Sequence, residues 1–281
     1  MPRALLAAAL LTFPALAPAA AQFRAPRSGD YLFAASVQDA RALWVNPAGL
    51  AVIFEASIMG EVLVVRNGND DLSLAQITAG FNSRGFAFAF RRDRFDDSTA
   101  GNTWRFGASR AFRKVTVGVS FTIYSADINQ REVDLGIRLL LAPTLQVGAV
   151  LRHIGEPVVR GVRLRPTGVF GLSWSAGGVI QLNGETTLVD PRGPDGLDVS
   201  YRAGVMLSLA RVMRLPLGIL SALDLRDDLG VDRLLFGLVL GGADRFALVG
   251  GGARREDTTF IDGISLTALS TRPLGKPSGL R

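Results

Sequence analysis

The chain contains no cysteine, a single histidine and, beyond its N-terminus, no apolar run long enough for a membrane-crossing helix. Each shortage removes a class of protein. Without Cys there are neither disulfides nor thiol chemistry, a composition that fits an oxidising envelope compartment. His153 has no second imidazole to work with, and the period of its segment puts it on the outer rim beside a loop, where an interfacial role is expected. Gly250, Gly251 and Gly252 fall in an expected strand with no helix after it, so they form no phosphate-binding loop. Asp70 with Asp71 and Asp227 with Asp228 offer the oxygen ligands calcium favours, but paired acids in polar loops read as solvated surface. The sequence therefore points away from an enzyme. No catalytic residue, metal site, cofactor or nucleic-acid partner is assigned.

What is present is glycine and alternation. The 281 residues include 32 Gly, carry a formal net charge of +6 and are 48% hydrophobic, with the apolar side chains spread singly. At the start, Arg3 precedes a short apolar stretch, and Ala19, Ala20 and Ala21 before Gln22 match a small-residue cleavage site. Residues 1–21 are expected to be a removed signal peptide. From Glu55 the chain repeats one unit, an alternating segment of about the 9–11 residues a transmembrane strand needs, followed by a connection. About fourteen such units can be placed. In residues 114–124, Val115, Val117, Val119, Phe121 and Ile123 share one face, while Thr116, Gly118, Ser120, Thr122 and Tyr124 share the other. The phase slips near Gln76, as at a bulge. The last four segments, near 215–225, 234–241, 246–253 and 260–269, are apolar on both faces.

Connections of two lengths take turns along the chain. Short ones are expected at 82–85, 112–114, 142–144, 176–178, 210–214 and 242–245, and longer polar ones between them. That asymmetry belongs to an outer-membrane barrel, and an even strand count places both termini in the periplasm. A soluble all-β domain also alternates, but its polar face would be solvated, and here the polar rows are rich in Gly. The expected fold is thus all-β, a transmembrane antiparallel barrel of about fourteen strands in the bacterial outer membrane. Its partners would be outer-membrane lipid, lipopolysaccharide and the barrel-assembly machinery. The chain closes on a polar tail, 270–281, with no terminal aromatic residue, so recognition by that machinery is expected to use 266–269 or an unusual signal.

Residues 39–50, DARALWVNPAGL, are neither leader nor strand. Little more than a helical turn is available before Asn46 and Pro47 break it, and Gly49 permits a turn. The motif Asp39, Trp44, Asn46, Pro47, Ala48, Gly49 and Leu50, together with Ala40, Ala42 and Leu43, resembles a signature of the FadL-like outer-membrane transporters of long-chain fatty acids. It is also similar to the related PorV/PorQ family. The resemblance implies an N-terminal hatch, residues 22–53, inside a barrel spanning 54–269. It implies one of two functions: a passive route for small hydrophobic or amphipathic molecules, or a non-transporting scaffold or protein-secretion adaptor.

A bore of this size needs a plug, since barrels of about eight strands are filled by side chains and those of about sixteen to eighteen hold a channel. Lumen-facing Arg105, Arg138, Arg152, Arg165 and Arg202, with Glu132, Asp134, Glu185 and Asp224, either bind the hatch through ion pairs or line a polar path. Trp44 is expected to be the apolar anchor of the hatch. Gly118, Gly136, Gly148, Gly171 and Gly204 would let it approach the wall. The loops are too short for a large collecting groove, and of the aromatic or aliphatic loop residues a receptor for a small hydrophobic ligand should display, only Val158, Val159, Val162 and Leu164 qualify, which leaves route and scaffold both open.

Overall fold

A wall with lipid on one side and a filled bore on the other needs side chains that switch face at every residue. The computed structural model describes residues 29, 31–52, 55–66, 72–94, 100–125, 129–159, 162–190, 197–210, 215–252, 254–255, 258–259 and 263–273. The expected leader lies outside these residues. Seven strands come first: β1 (Glu55–Arg66), β2 (Leu72–Ser83), β3 (Phe86–Arg94), β4 (Ala100–Phe112), β5 (Val115–Ser125), β6 (Asn129–Ala142) and β7 (Leu145–Ile154). After a two-residue hairpin, Val158–Val159 with Val162–Arg163, come β8 (Thr167–Ala176), β9 (Ile180–Val189), β10 (Asp198–Ser208), β11 (Leu217–Leu225) and β12 (Val231–Gly241). The last two are β13 (Asp244–Gly252) and β14 (Gly263–Pro273). Each strand pairs with its sequence neighbours, and β14 returns to β1, so the sheet is a closed barrel of fourteen antiparallel strands.

The pleat sorts the residues as the alternation requires. On β5, Val117, Val119 and Phe121 are exposed on the outside, while Thr116, Ser120 and Thr122 are buried inside. The same outward rows continue with Ile58, Phe86, Phe106, Leu135, Leu172 and Phe236, all exposed. Apolar rows facing outward exclude the soluble β domain, whose apolar rows would meet in a core; an apolar belt of this extent requires lipid around it. On β2 the ladder jumps from Leu63 opposite Gln76 to Val64 opposite Leu74, leaving Ala75 as the extra residue of a bulge where the phase slips.

Three features differ from the sequence expectation. The final strand runs to Pro273, not to residue 269, because Ser270 and Thr271 still pair with β1 through Ile58 and Ser57. The first four residues of the expected polar tail therefore belong to the wall. Connection lengths also alternate less strictly than expected: β5 and β6 extend until only 126–128 separate them, whereas 209–216 joins β10 to β11. The third is a fault in β7. His153 has a φ of 59° beside an irregular β6–β7 register, and this local twist turns its ring away from the outer rim into the bore.

At the end of the wall where turns are tight, Arg84 and Gly85 both have positive φ, as a two-residue hairpin turn demands. Glycine is required at 85 twice over, since a Cβ there would strike the Ser109 carbonyl that packs on the turn. Glu55 and Pro273 are register partners, so the wall begins and ends at this same end.

Candidate functional site

The bore is crossed by residues 31–52. Asp39 starts the tightest part, a chain of turns leading to α1 (Ala42–Val45) and the 3₁₀ turn Pro47–Ala51. Between them Asn46 is extended, and its side-chain oxygen accepts the Ala48 N–H at 3.1 Å, capping the turn that Pro47 opens. The Asn46 amide then donates to the carbonyls of Ala34 at 2.9 Å and Ile137 at 3.3 Å, joining the segment to itself and to β6. Gly49 is needed because a side chain there would overlap the Val37 carbonyl. Ala48, Leu43 and Leu50 have no exposed surface.

The segment touches the wall on every side, which places it inside. Tyr31 Oη lies 3.0 Å from Thr267 on β14, Ala40 donates to Ser57 on β1 at 2.8 Å, and Asn82 on β2 donates to the Leu50 carbonyl at 2.9 Å. Ala34 donates to Glu185 on β9 at 2.8 Å. Glycine permits the closest approaches: a Cβ at Gly118 would overlap Pro47, and one at Gly136 would overlap Asn46. Between polar contacts, Phe33 and Tyr31 pack on Leu220, Ala222, Leu235, Ala247 and Val249.

Among the described residues, the wall charges hold this segment by hydrogen bonds to its backbone and not by the expected ion pairs. Arg105 donates to the Leu43 carbonyl at 3.0 Å, Arg138 to that of Val37 at 2.8 Å and Arg152 to that of Val45. Asp39 and Arg41, the charges of the motif, pair with each other at 2.6 Å, so these two are not offered to the wall arginines. Burial alone would raise the Asp39 carboxyl, but the Arg41 guanidinium and its hydrogen bonds hold it below the ordinary carboxylate value.

Of the other expected wall residues, Arg105, Glu132 and Asp134 come together in one buried cluster. Arg105 lies 3.1 Å from Glu132 and 2.5 Å from Asp134, and Tyr124 and His153 bind Glu132 at 2.7 and 2.6 Å. Glu132, Asp134 and His153 have the donor types of a metal site, but the Arg105 guanidinium already occupies the position a cation would take. Arg202 pairs with Asp224. Arg165 is not in the bore: it precedes β8 and is exposed, because β8 starts at Thr167.

Above the segment, at the loop end of the barrel, is a cavity of about 760 Å³. Arg91, Arg105, Arg152, Arg202, Arg226 and Arg233 line it with Asp93, Glu185, Asp224 and Asp232. Its apolar lining includes Leu32, Trp44 and Val45 of the segment, Val159, Val162 and Leu164 of the short hairpin region, and Val189 and Leu225 of the wall. Trp44 departs from the anchor expected of it. It is only half-buried, and the guanidinium carbons of Arg91 and Arg105 lie 4.0 and 5.2 Å from its ring centroid. The buried apolar anchors are Leu43 and Leu50. Sequence reasoning missed Glu61, which accepts the Gly29 amide from a buried position on β1; the only signal was a charge at an inward position of an alternating strand.

The wall and its crossing segment define a class of fold, the closed fourteen-strand outer-membrane barrel with a segment folded inside it. No protein-family model and no curated protein matches the sequence. Among solved structures, the chain is similar to the Ralstonia pickettii toluene transporter TbuX, at 12% identity over 85% of this chain and 95% of that one, with a TM-score of 0.61. It is also similar to the Pseudomonas putida toluene transporter TodX, at 9% identity over 85% and 94% of the two chains and a TM-score of 0.54. A Pseudomonas aeruginosa FadL homologue matches at 10% identity over 91% of this chain and 100% of that one, with a TM-score of 0.50. The fold is accordingly of the FadL type.

Proposed function

We propose that this chain is an outer-membrane channel whose segment 22–53 acts as a hatch, admitting small amphipathic molecules from the loop end. One observation carries the reading: a closed fourteen-strand wall encloses a folded segment with a cavity of about 760 Å³ on its loop side. A barrel of this size leaks unless something fills it. The likeness to transporters of toluene supports a route for small organic molecules, and the mixed lining, guanidinium groups beside Leu32, Trp44 and Val162, favours amphipathic cargo over a purely apolar one. The secretion-adaptor alternative has no support in these three structures. Deleting residues 23–45 tests the channel directly. A folded barrel with raised conductance in planar bilayers is the expected result; unchanged conductance in a folded barrel would remove the hatch and most of the case for transport.

A further inference from the structure

Residues 98–126 contain no Asp or Glu, yet they carry Arg105, Arg110, Arg113 and Lys114. Arg105 is compensated in the bore by Glu132 and Asp134. The other three gather at the tight-turn end, on the hairpin of β4 and β5, and among the described residues none of them has a carboxylate within ion-pair distance. The neighbouring turns at 84–85 and 143–144 add Arg84 and no acid. Local geometry does not select this chemistry: Arg113 has a φ of 54°, where a two-residue turn favours Gly, Asn or Asp. Like charges set this close repel one another, which favours an anion beside them.

The hairpin also projects. Pairing of β3 with β4 ends at Phe86 opposite Ala108, and the Gly85 carbonyl accepts the Ser109 N–H at 2.8 Å, so 110–112 run past the neighbouring turn. Residues 110–114 are all exposed. Arg110 lies in the outward row of β4, after Trp104, Phe106 and Ala108 and before Phe112, and opposite the exposed Val117 of β5. Its guanidinium carbon is 5.3 Å from the Phe112 ring centroid. The cation therefore stands at the margin of the apolar belt, with one exposed aromatic ring beyond it and an exposed apolar row behind it.

We propose that this corner of the barrel binds an anionic glycerophospholipid, its phosphate held by Arg110, Arg113 and Lys114 and its acyl chains laid along Phe106, Phe112 and Val117. The position of Arg110 decides the class of occupant. An acidic soluble protein would meet the turn tips and leave the guanidinium of the lipid-facing row unmatched, whereas a lipid brings phosphate and hydrocarbon to the two parts of the surface at once. Three cations around a phosphate favour a head group with no cation of its own, hence phosphatidylglycerol over phosphatidylcholine. The site belongs to the outer wall and does not depend on what passes through the bore.

Lysine supplies the reporter, because the chain has only two, Lys114 and Lys276. Full-length folded protein in mixed micelles is acetylated, and both sites are followed by peptide mass spectrometry. Phosphatidylglycerol should slow acetylation of Lys114 by about fivefold or more relative to phosphatidylcholine with the same chains, about the weight of one cation beside an anionic lipid surface, and should slow Lys276 much less. Glycerol phosphate, the head group without chains, should give no protection. Arg110→Gln should remove most of the protection, and Arg92→Gln, which alters an exposed cation at the opposite end of the wall, should leave it intact. Equal slowing by the two lipids, equal slowing at the two lysines, or equal protection by glycerol phosphate in the unaltered chain overturns the proposal, whether or not a variant folds. So does full protection of Lys114 in Arg110→Gln, in a barrel shown to be closed by its heat-modifiable gel mobility.

Discussion

Val119 and Ser120 are neighbours that live in different surroundings: the first is 41% exposed on the outer face, the second 1% exposed in the bore. An arginine at 119 would place a charge in lipid. Val119→Arg should therefore destabilise refolding into bilayers by roughly 2–4 kcal/mol if it lies near the midplane. The fair lumen control is Ser200, which lines the open cavity, and not Ser120, which sits 3.4 Å from Asp134 with no room for a larger side chain. Ser200→Arg should cost much less, and equal costs in a lipid-refolding titration would contradict the assignment of faces. That assignment was legible along β5 because the two solvents impose a strict period of two. His153 was not legible, because the period fails where the backbone takes a positive φ, and nothing in the local residues announces it. Nor was the role of the wall arginines, since a sequence shows charges but not the carbonyls they reach.

Among the elements, the N-terminal segment has little regular structure of its own and depends on its contacts. α1 spans four residues, too short to be stable alone, and Asn46 links it to the 3₁₀ turn and to β6. Asn46→Ala removes the cap and leaves the Ala34 carbonyl without this donor in a fully buried place. The segment's attachment should weaken by about 1–3 kcal/mol. Hydrogen exchange checks this: amides of 42–51 should lose protection while those of β4 and β5 keep theirs, and unchanged protection would show that Asn46 is dispensable. The same segment explains why the last strands were hard to read. Leu220, Ala222, Leu235 and Val249 face inward yet are apolar because Tyr31 and Phe33 pack against them, so β11 to β13 are apolar on both faces and lose the contrast that marks β5. The turn around Asn46 and Pro47, by contrast, was legible because both residues constrain the backbone locally.

For the whole molecule the open matter is which end faces out. The wall starts and finishes at the tight-turn end, where Glu55 meets Pro273, and the short connection at 143–144 lies there too. The hairpin of Val158–Val159 and Val162–Arg163 lies at the other end, beside the cavity. Tight periplasmic turns and longer extracellular loops are the rule for such barrels, so the cavity is expected to open to the exterior with both termini in the periplasm. Because the chain has no Cys, a single introduced thiol gives an unambiguous label. Val162 and Thr144 are both exposed, so neither substitution disturbs packing. Val162→Cys should react with an impermeant maleimide on intact cells, and Thr144→Cys only after the outer membrane is breached. The opposite pattern would invert the barrel and put the cavity on the periplasmic side, where it would be met on the way out of the cell instead of on the way in.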